Sequence, residues 1–282
     1  MPVIPAGWVR SPGGRLFSWG GPEVPVHGFT TRSGGVSEPP FDSLNVSTRH
    51  GDAAEHVAEN LRRIRKDLCL SEPWLTVDQV HGTAVCIVDD SATIPAGTRA
   101  DALITATPGI TIAVGVADCT PLLAWGPHPT DGRPAGLVLA IHAGWRGTAA
   151  GVVQATIDRA AKAFGIRPGS LTVAIGASAR SCCYEVGDEV VEALDQALRN
   201  TGGTKPEDTT GSAPWLDRTH GRARVSPAVV ARAQLRAAGV PPGQIHDLGQ
   251  CTLCGADTWF SYRRDGIRSG RALAIIRSAP SV

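Results

Sequence analysis

The sequence predicts one domain of mixed α and β structure. Short runs rich in Val, Ile and Leu alternate with stretches of helical periodicity. A length of 282 residues fits one large domain or two ordinary ones, and no loop has the composition of a clean linker. No internal repeat or low-complexity tract interrupts the pattern. With 42% hydrophobic and 19% charged residues, the chain has the makeup of a globular protein able to bury a sizeable core.

The elements follow in order. Gly109 to Cys119 reads as a buried strand ending at Asp118-Cys119. Pro121 to Trp125 follows at once, and Pro121 is expected to break the run. Gly126 to Gly136 is a turn-rich loop. Leu137 to Ile141 forms the next strand. Thr148 to Gly165 reads as a helix, with Thr148 as its cap and Gly165 as its stop. Leu171 to Ala177 is another strand, and Glu185 to Asn200 another helix. Thr201 to Pro214 is a long polar loop. Ser226 to Val240 reads as a helix, with Ser226 at the cap and Pro227 in the first position. Arg271 to Arg277 is a final buried strand.

A net charge of +1 gives no electrostatic footprint for nucleic acid or an acidic membrane surface. The opening residues, Met1 to Arg10, lack the basic and apolar regions of a signal peptide. No apolar run is long enough to span a bilayer. Seven cysteines without a disulfide-scaffold spacing fit a reducing, cytoplasmic setting.

Three segments place a ligand-type side chain where an apolar run ends: His81 in VDQVHG, Cys119 in VADC and His142 in AIHAGWRG. Two imidazoles and a thiolate suit zinc, and three protein ligands leave a fourth position open for water or substrate. Taken singly, each side chain also fits an ordinary buried residue. Spacing alone leaves both readings standing. Cys251 to Cys254 is a C-x-x-C that would need a second ligand pair to hold a structural zinc. His246 or the vicinal Cys182 and Cys183 could supply it, and a simple turn is the other reading. No His has Glu two positions on, which disfavours a zinc base deaminase. Eight histidines with no H-x-H pair leave a multicopper oxidase short of ligands. The segment His27 to Asp52, rich in Gly, Ser, Thr and Asn with Arg32 and Arg49, could bind an anion or form a solvated turn. Phe260 to Arg271, with four arginines, is open to the same two readings.

At these residues the chain resembles the polyphenol-oxidase or laccase-domain family, whose members are described as zinc-dependent purine nucleoside enzymes. The resemblance runs through GFTTRSGGVS (28–37), SLNVSTRHGD (43–52), QVHG (79–82), RADALIT (99–105) and PGITIAVGVADCTPLL (108–123). It continues through IHAGWRGTAAGVV (141–153), AIGASARSCCYEVGDEV (174–190) and CT…FSYRRDGIRSGR (251–271). It implies an α+β fold, a single domain with mixed β-sheets packed between layers of helices. It implies His81, Cys119 and His142 as ligands of Zn2+. It implies phosphorolysis of adenosine, inosine, guanosine and methylthioadenosine, with adenosine deamination in the same site. The partners implied are a purine nucleoside and phosphate, with no nucleic acid and no membrane. The sequence gives no oligomeric state. Two departures stand out. Gly176-Ala177-Ser178 replaces the family's Gly-Pro, which leaves that loop less constrained, and Cys254 has no inherited counterpart.

On that reading Arg32, Arg49 and Arg146 are phosphate candidates, because guanidinium matches the anion's geometry. Asn45 is a candidate for the ribose or the anion. Asp118, beside Cys119, is a candidate proton shuttle or support for the metal ligand, and Gln79 a support for His81. Ala143 and Gly144 are expected to leave room for substrate, and Trp145 to pack. Two rival classes remain. In one, Cys119 is the nucleophile of a hydrolase with His81 or His142 as base, acting on an amide such as a peptidoglycan precursor. In the other the fold is a non-enzymatic scaffold, marked by the absence of both metal and turnover.

Overall fold

The computed structural model describes residues 4–20, 24–202, 215–219 and 221–280. Along the chain run β1 (Trp8–Arg10), β2 (Leu16–Trp19), β3 (His27–Thr30), α1 (Ala54–Asp67), β4 (Val85–Ile87), β5 (Ala102–Thr105) and β6 (Thr111–Val116). There follow β7 (Thr120–Gly126), β8 (Leu137–Ala143), α2 (Trp145–Ala150), α3 (Val152–Phe164), β9 (Thr172–Ile175) and α4 (Asp188–Arg199). The last are β10 (Leu216–Asp217), β11 (Arg224–Val225), α5 (Pro227–Ala237), β12 (Ile245–Asp247), α6 (Tyr262–Asp265) and β13 (Ala272–Arg277). The polar loop expected over 201–214 lies, from residue 203 onward, outside the described residues.

Two sheets face each other. One is antiparallel, in the order β1-β2-β3-β13-β6. The other is mixed, in the order β12-β9-β7-β8-β5-β4, with parallel pairs at both edges. Strand periodicity sorts their side chains into separate layers. Val138 and Ala140 of β8 face inward with Leu123, Trp125, Ile112, Val114 and Ile276. Leu137, Leu139 and Ile141 face outward onto Val153 and Ile157 of α3 and Leu235 of α5. On the far side, Leu273 and Ile275 of β13 pack on Ile64 of α1. The two sheets, one of them mixed, are therefore sandwiched between helices, as the family resemblance implies. Both faces of the central strands are buried, which is why they read as unbroken apolar runs.

The structure differs from the sequence reading at several points. Pro121 does not end the run but lies inside β7, second from its start. It forgoes its N–H only at the strand's end, and its carbonyl still accepts the Gly176 N–H at 3.0 Å. The expected strand at 109–119 stops at Val116, and residues 117–119 carry the chain from one sheet to the other. The expected helix from Thr148 begins at Trp145 and is split at Gly151, whose φ of 88° closes α2 and opens α3. Thr148 is thus interior to α2 and not a cap, while Gly165 ends α3 in the left-handed conformation as expected. Ser226 and Pro227 take their expected positions at the start of α5, but the serine makes no capping bond. The segment after Gly176 is not loosened by its missing proline. The N–H groups of Ser178 and Ala179 bond to Gln250 and Asp118, and residues 176–181 are all buried.

Candidate metal centre and the cleft around it

His81, Cys119 and His142 come together although 38 and 23 residues separate them in sequence, and their ligand atoms lie within 4.8 Å of one another. Each comes from a different part of the sandwich. His142 occupies an inward-facing position of β8, in register with Pro121 of β7. Cys119 sits on the crossing between the sheets. His81 lies on the loop before β4 with a φ of 59°. The Cys119 Sγ is 3.8 Å from His81 Nε2, and the two imidazoles meet edge to face at 4.8 Å. Gly144 makes this approach possible: a Cβ there would lie 2.7 Å from His81 Cδ2 and 3.1 Å from Cys119 Sγ. The space expected for substrate beside Gly144 is taken up by the ligands themselves. Ala143 packs in the core.

Asp101 organises the group. Its fully buried carboxylate accepts the N–H of His81 at 2.8 Å and of Gly82 at 2.7 Å. The same carboxylate lies 2.8 Å from His142 Nδ1, which leaves Nε2 as that ring's available ligand atom. It thereby holds His81 in a backbone region that costs a non-glycine residue of order 1–3 kcal/mol. Burial pushes the Asp101 carboxyl up, but His142 and the Gly82 and His81 amides outweigh it and hold it below the usual range. Burial likewise works against the Cys119 thiolate, yet the neighbouring imidazoles of His142 and His81 bring it down to about 6. Burial disfavours a charged His142, but the Cys119 thiolate and Asp101 raise it to about 9. The Cys119 thiolate and the proton on His142 thus stabilise each other, and a metal ion bound there would displace that proton. Among the described residues the metal-type clusters are this one and a group of four cysteines, and neither holds more than two histidines.

His81 and Cys119 stand where two cavities meet, and His142 lines the smaller of them. The larger, about 870 Å³, is lined by Asp118, Arg146, Tyr184, Glu185 and Arg263 among others. The smaller, about 530 Å³, is lined by Ser47, Arg49, His50, Gln79, His142 and Arg271 among others. His81, Ala117, Cys119 and Tyr262 line both. The smaller lobe has two guanidinium groups and no carboxylate in its lining, whereas the larger mixes arginines with Asp118, Glu185, Asp188 and Glu189.

The other sequence candidates divide. Arg49 lines the smaller lobe and pairs with Asp78. Arg146 lines the larger lobe, with its guanidinium 4.2 Å above the Trp145 ring. Asp118 also faces the larger lobe, with its oxygens accepting from Thr252 Oγ1 at 2.5 Å and the Arg263 N–H at 2.6 Å. Arg32 does not reach either lobe. Its guanidinium is held by Asp42, by the Ala256 carbonyl and against the Phe260 ring, so it fastens loops. Asn45 is buried and bonds to Ser47, Asp52 and the Arg271 N–H; it positions Arg271 and lines neither lobe. Gln79 bonds Gly115 in both directions, so its side chain anchors β6 and not His81. Asp101, His50, Tyr184 and Tyr262 were not singled out from sequence. Arg263 and Arg271 belong to the arginine-rich segment that was, and Arg264 of that segment is tied to the Thr252 and Trp259 carbonyls.

With this geometry in hand, the relatives are informative. A family model described as multi-copper polyphenol oxidoreductase laccase matches residues 26–279. Purine nucleoside phosphorylase YlmD of Geobacillus stearothermophilus is 36% identical over 261 residues, covering 89% of each chain. A purine nucleoside phosphorylase of Deinococcus radiodurans is 36% identical over 251 residues, covering 89% of this chain and 88% of its own. The crystal structure of YlmD superposes with a TM-score of 0.82 at 32% identity, covering 98% of this chain and all of that one. That of Bacillus licheniformis YfiH gives 0.75 at 32% identity, covering 89% and 92%. Matched along nearly its whole length in sequence and in fold, the chain belongs to the multi-copper polyphenol oxidoreductase laccase family.

Proposed function

We propose that this protein is a zinc-dependent purine nucleoside phosphorylase, acting on adenosine, inosine, guanosine and methylthioadenosine and deaminating adenosine in the same site. The observation that carries the reading is the junction of two unlike lobes at His81 and Cys119, two members of the three-residue cluster that His142 completes. The named activities of the relatives support it. A tetrahedral zinc would hold its nitrogen and sulfur ligands about 3.6 Å apart, and the Cys119 to His81 separation is 3.8 Å. Bound there, zinc supplies a Lewis acid with one open coordination position. The donor set does not suit a laccase, which needs a separate histidine-rich copper cluster.

The lobes suggest how the substrates are shared. Phosphate fits the smaller lobe, where Arg49 and Arg271 offer guanidinium groups without a lining carboxylate. The nucleoside fits the larger lobe, with Tyr184 and Tyr262 as aromatic surfaces for a purine. In phosphorolysis a phosphate oxygen bonds to the anomeric carbon as the bond from that carbon to the purine nitrogen breaks. The purine leaves with the electron pair, and Arg146 and Arg263 are the groups available to offset its charge. Asp118 holds or relays a proton at the purine, kept in place by Thr252 and Arg263. The seven unpaired cysteines accord with a cytoplasmic protein.

The test measures bound zinc and assays adenosine and inosine with and without phosphate. Phosphate-dependent release of the free base is expected, with metal and activity lost together in His142→Ala. Full activity in a metal-stripped His142→Ala protein would sink the mechanism. A second reading, a cysteine hydrolase acting on an amide such as a peptidoglycan precursor, draws support from the lowered Cys119 thiol beside His142. Alkylation separates the two: Cys119 reacts slowly when zinc holds it and fast in a metal-free cysteine enzyme.

A further inference from the structure

We propose that Cys182, Cys183, Cys251 and Cys254 form a second metal site, a zinc tetrathiolate that ties together two loops of the cleft wall. The proposal does not depend on the nucleoside reading. The four Sγ atoms lie within 4.8 Å of one another although about 70 residues separate the two pairs in sequence. Cys254 Sγ is 2.8 Å from that of Cys183 and 3.4 Å from that of Cys182. A tetrahedral zinc with four thiolates spaces its sulfurs about 3.8 Å apart, so the cluster already has single-ion dimensions.

Each pair comes from a tight turn. In the first, the N–H groups of Cys183 and Tyr184 both bond to the Arg180 carbonyl. In the second, the Gly255 N–H bonds to the Cys251 carbonyl at 3.0 Å. A bridge between Ser178 and Cys251 and the bond from the Thr252 N–H to the Ser178 carbonyl bring the turns together. Behind them Arg180 is buried against Asp247, with its positive charge close to Cys251 and Cys182. Four thiolates on one dication carry a net charge of −2, and a buried cation beside them offsets part of it.

The alternatives fit less well. A disulfide would use two thiols and gives no reason for the other two to converge on the same point. An iron–sulfur cluster attaches its cysteines to separate irons, which holds them further apart than a single ion does. The consequence for the cleft is direct. Cys183 precedes Tyr184, which lines the larger lobe, and Cys251 precedes Thr252, whose hydroxyl bonds to Asp118 beside Cys119. A metal here would hold that wall without touching the reactants.

The experiment counts zinc per chain and reads its ligand shell by X-ray absorption in the full-length protein and three variants. A His81→Ala/His142→Ala protein is expected to keep one zinc with an all-sulfur shell at ~2.3 Å. A Cys251→Ser/Cys254→Ser protein is expected to lose that one and keep the other, with a lower melting temperature. Cys69→Ser, outside both clusters, should lose neither. If the cysteine variant does not fold, the zinc count and sulfur shell of the histidine variant decide by themselves. Absence of zinc from the histidine variant, iron in its place, or a disulfide within the group by mass spectrometry of unreduced protein would each overturn the proposal.

Discussion

Asp101 fixes one histidine ligand through its ring and another through its backbone, so its charge serves both. Replacing it with Asn removes that charge and turns an amide N–H toward donors. We predict that Asp101→Asn weakens metal affinity about 10- to 100-fold, measured by competition with a chelator. The ligands were legible in sequence because each ends an apolar run beside small residues or Asp. Asp101 was not, because an acidic residue ahead of an apolar strand is what any strand entrance can offer. Only the register of β5 on β8, with Ala102 opposite Ile141, brings it to His142. The arginines needed the fold for the same reason. Arg32 and Arg271 look alike in sequence, yet one is tied to Asp42 and the other lines a cavity. Arg271→Ala is expected to raise the KM for phosphate about tenfold or more, with a smaller change for the nucleoside. Arg32→Ala should lower the melting temperature and leave the phosphate KM alone.

Among the elements, the start of α2 is the most constrained. Gly144 joins the end of β8 to the helix with no side chain to intrude on the ligands. Gly144→Ala is expected to reduce metal content per chain while the sheet signal in circular dichroism stays unchanged. A fold that collapsed along with the metal would count against this local account. Helical periodicity predicted the stretch after Thr148, but it carries no mark of the break at Gly151, since a glycine in such a run costs only about 1 kcal/mol. The expected β-strand end at Pro121 failed for a related reason. Proline removes one ladder bond, and near a strand's start that loss is small beside the burial of Leu122, Leu123 and Ala124. Helix α1 was not anticipated. Its buried face includes Asn60, whose side chain bonds to Val36, Ser37, Ser43 and Asn45, so a polar residue holds the loop where a hydrophobic pattern would look for an apolar one.

For the whole molecule, the alternation of apolar runs and helical stretches predicts α and β structure, and strand parity explains why it does not show two sheets. Residues buried on both faces give continuous apolar runs whichever sheet they join. The layer between the sheets contains a titratable group. His27 of β3 is buried beside Trp125 of β7, where its Nε2 accepts the Trp19 N–H and its Nδ1 donates to the Pro25 carbonyl. Burial, opposed only by the Pro25 bond, pushes it below its ordinary 6.5. The unfolded chain then binds more protons than the folded one as the pH falls through that value, so this contribution is present above it and lost below. Melting temperature should fall between about pH 7.5 and about pH 5.5, and less steeply in His27→Gln. Equal slopes in the two proteins would locate the acid sensitivity elsewhere, for example at the metal ligands.

The meeting of two lobes at His81 and Cys119 bears on the order of events in a turnover cycle. A dead-end pocket would oblige one reactant to arrive before the other and its product to leave last. Two lobes with different linings that share one centre impose no such queue. Initial-rate patterns are therefore expected to show random addition, with a phosphate mimic competing against phosphate but not against the nucleoside. Strictly ordered kinetics would mean that filling one lobe is needed to complete the other.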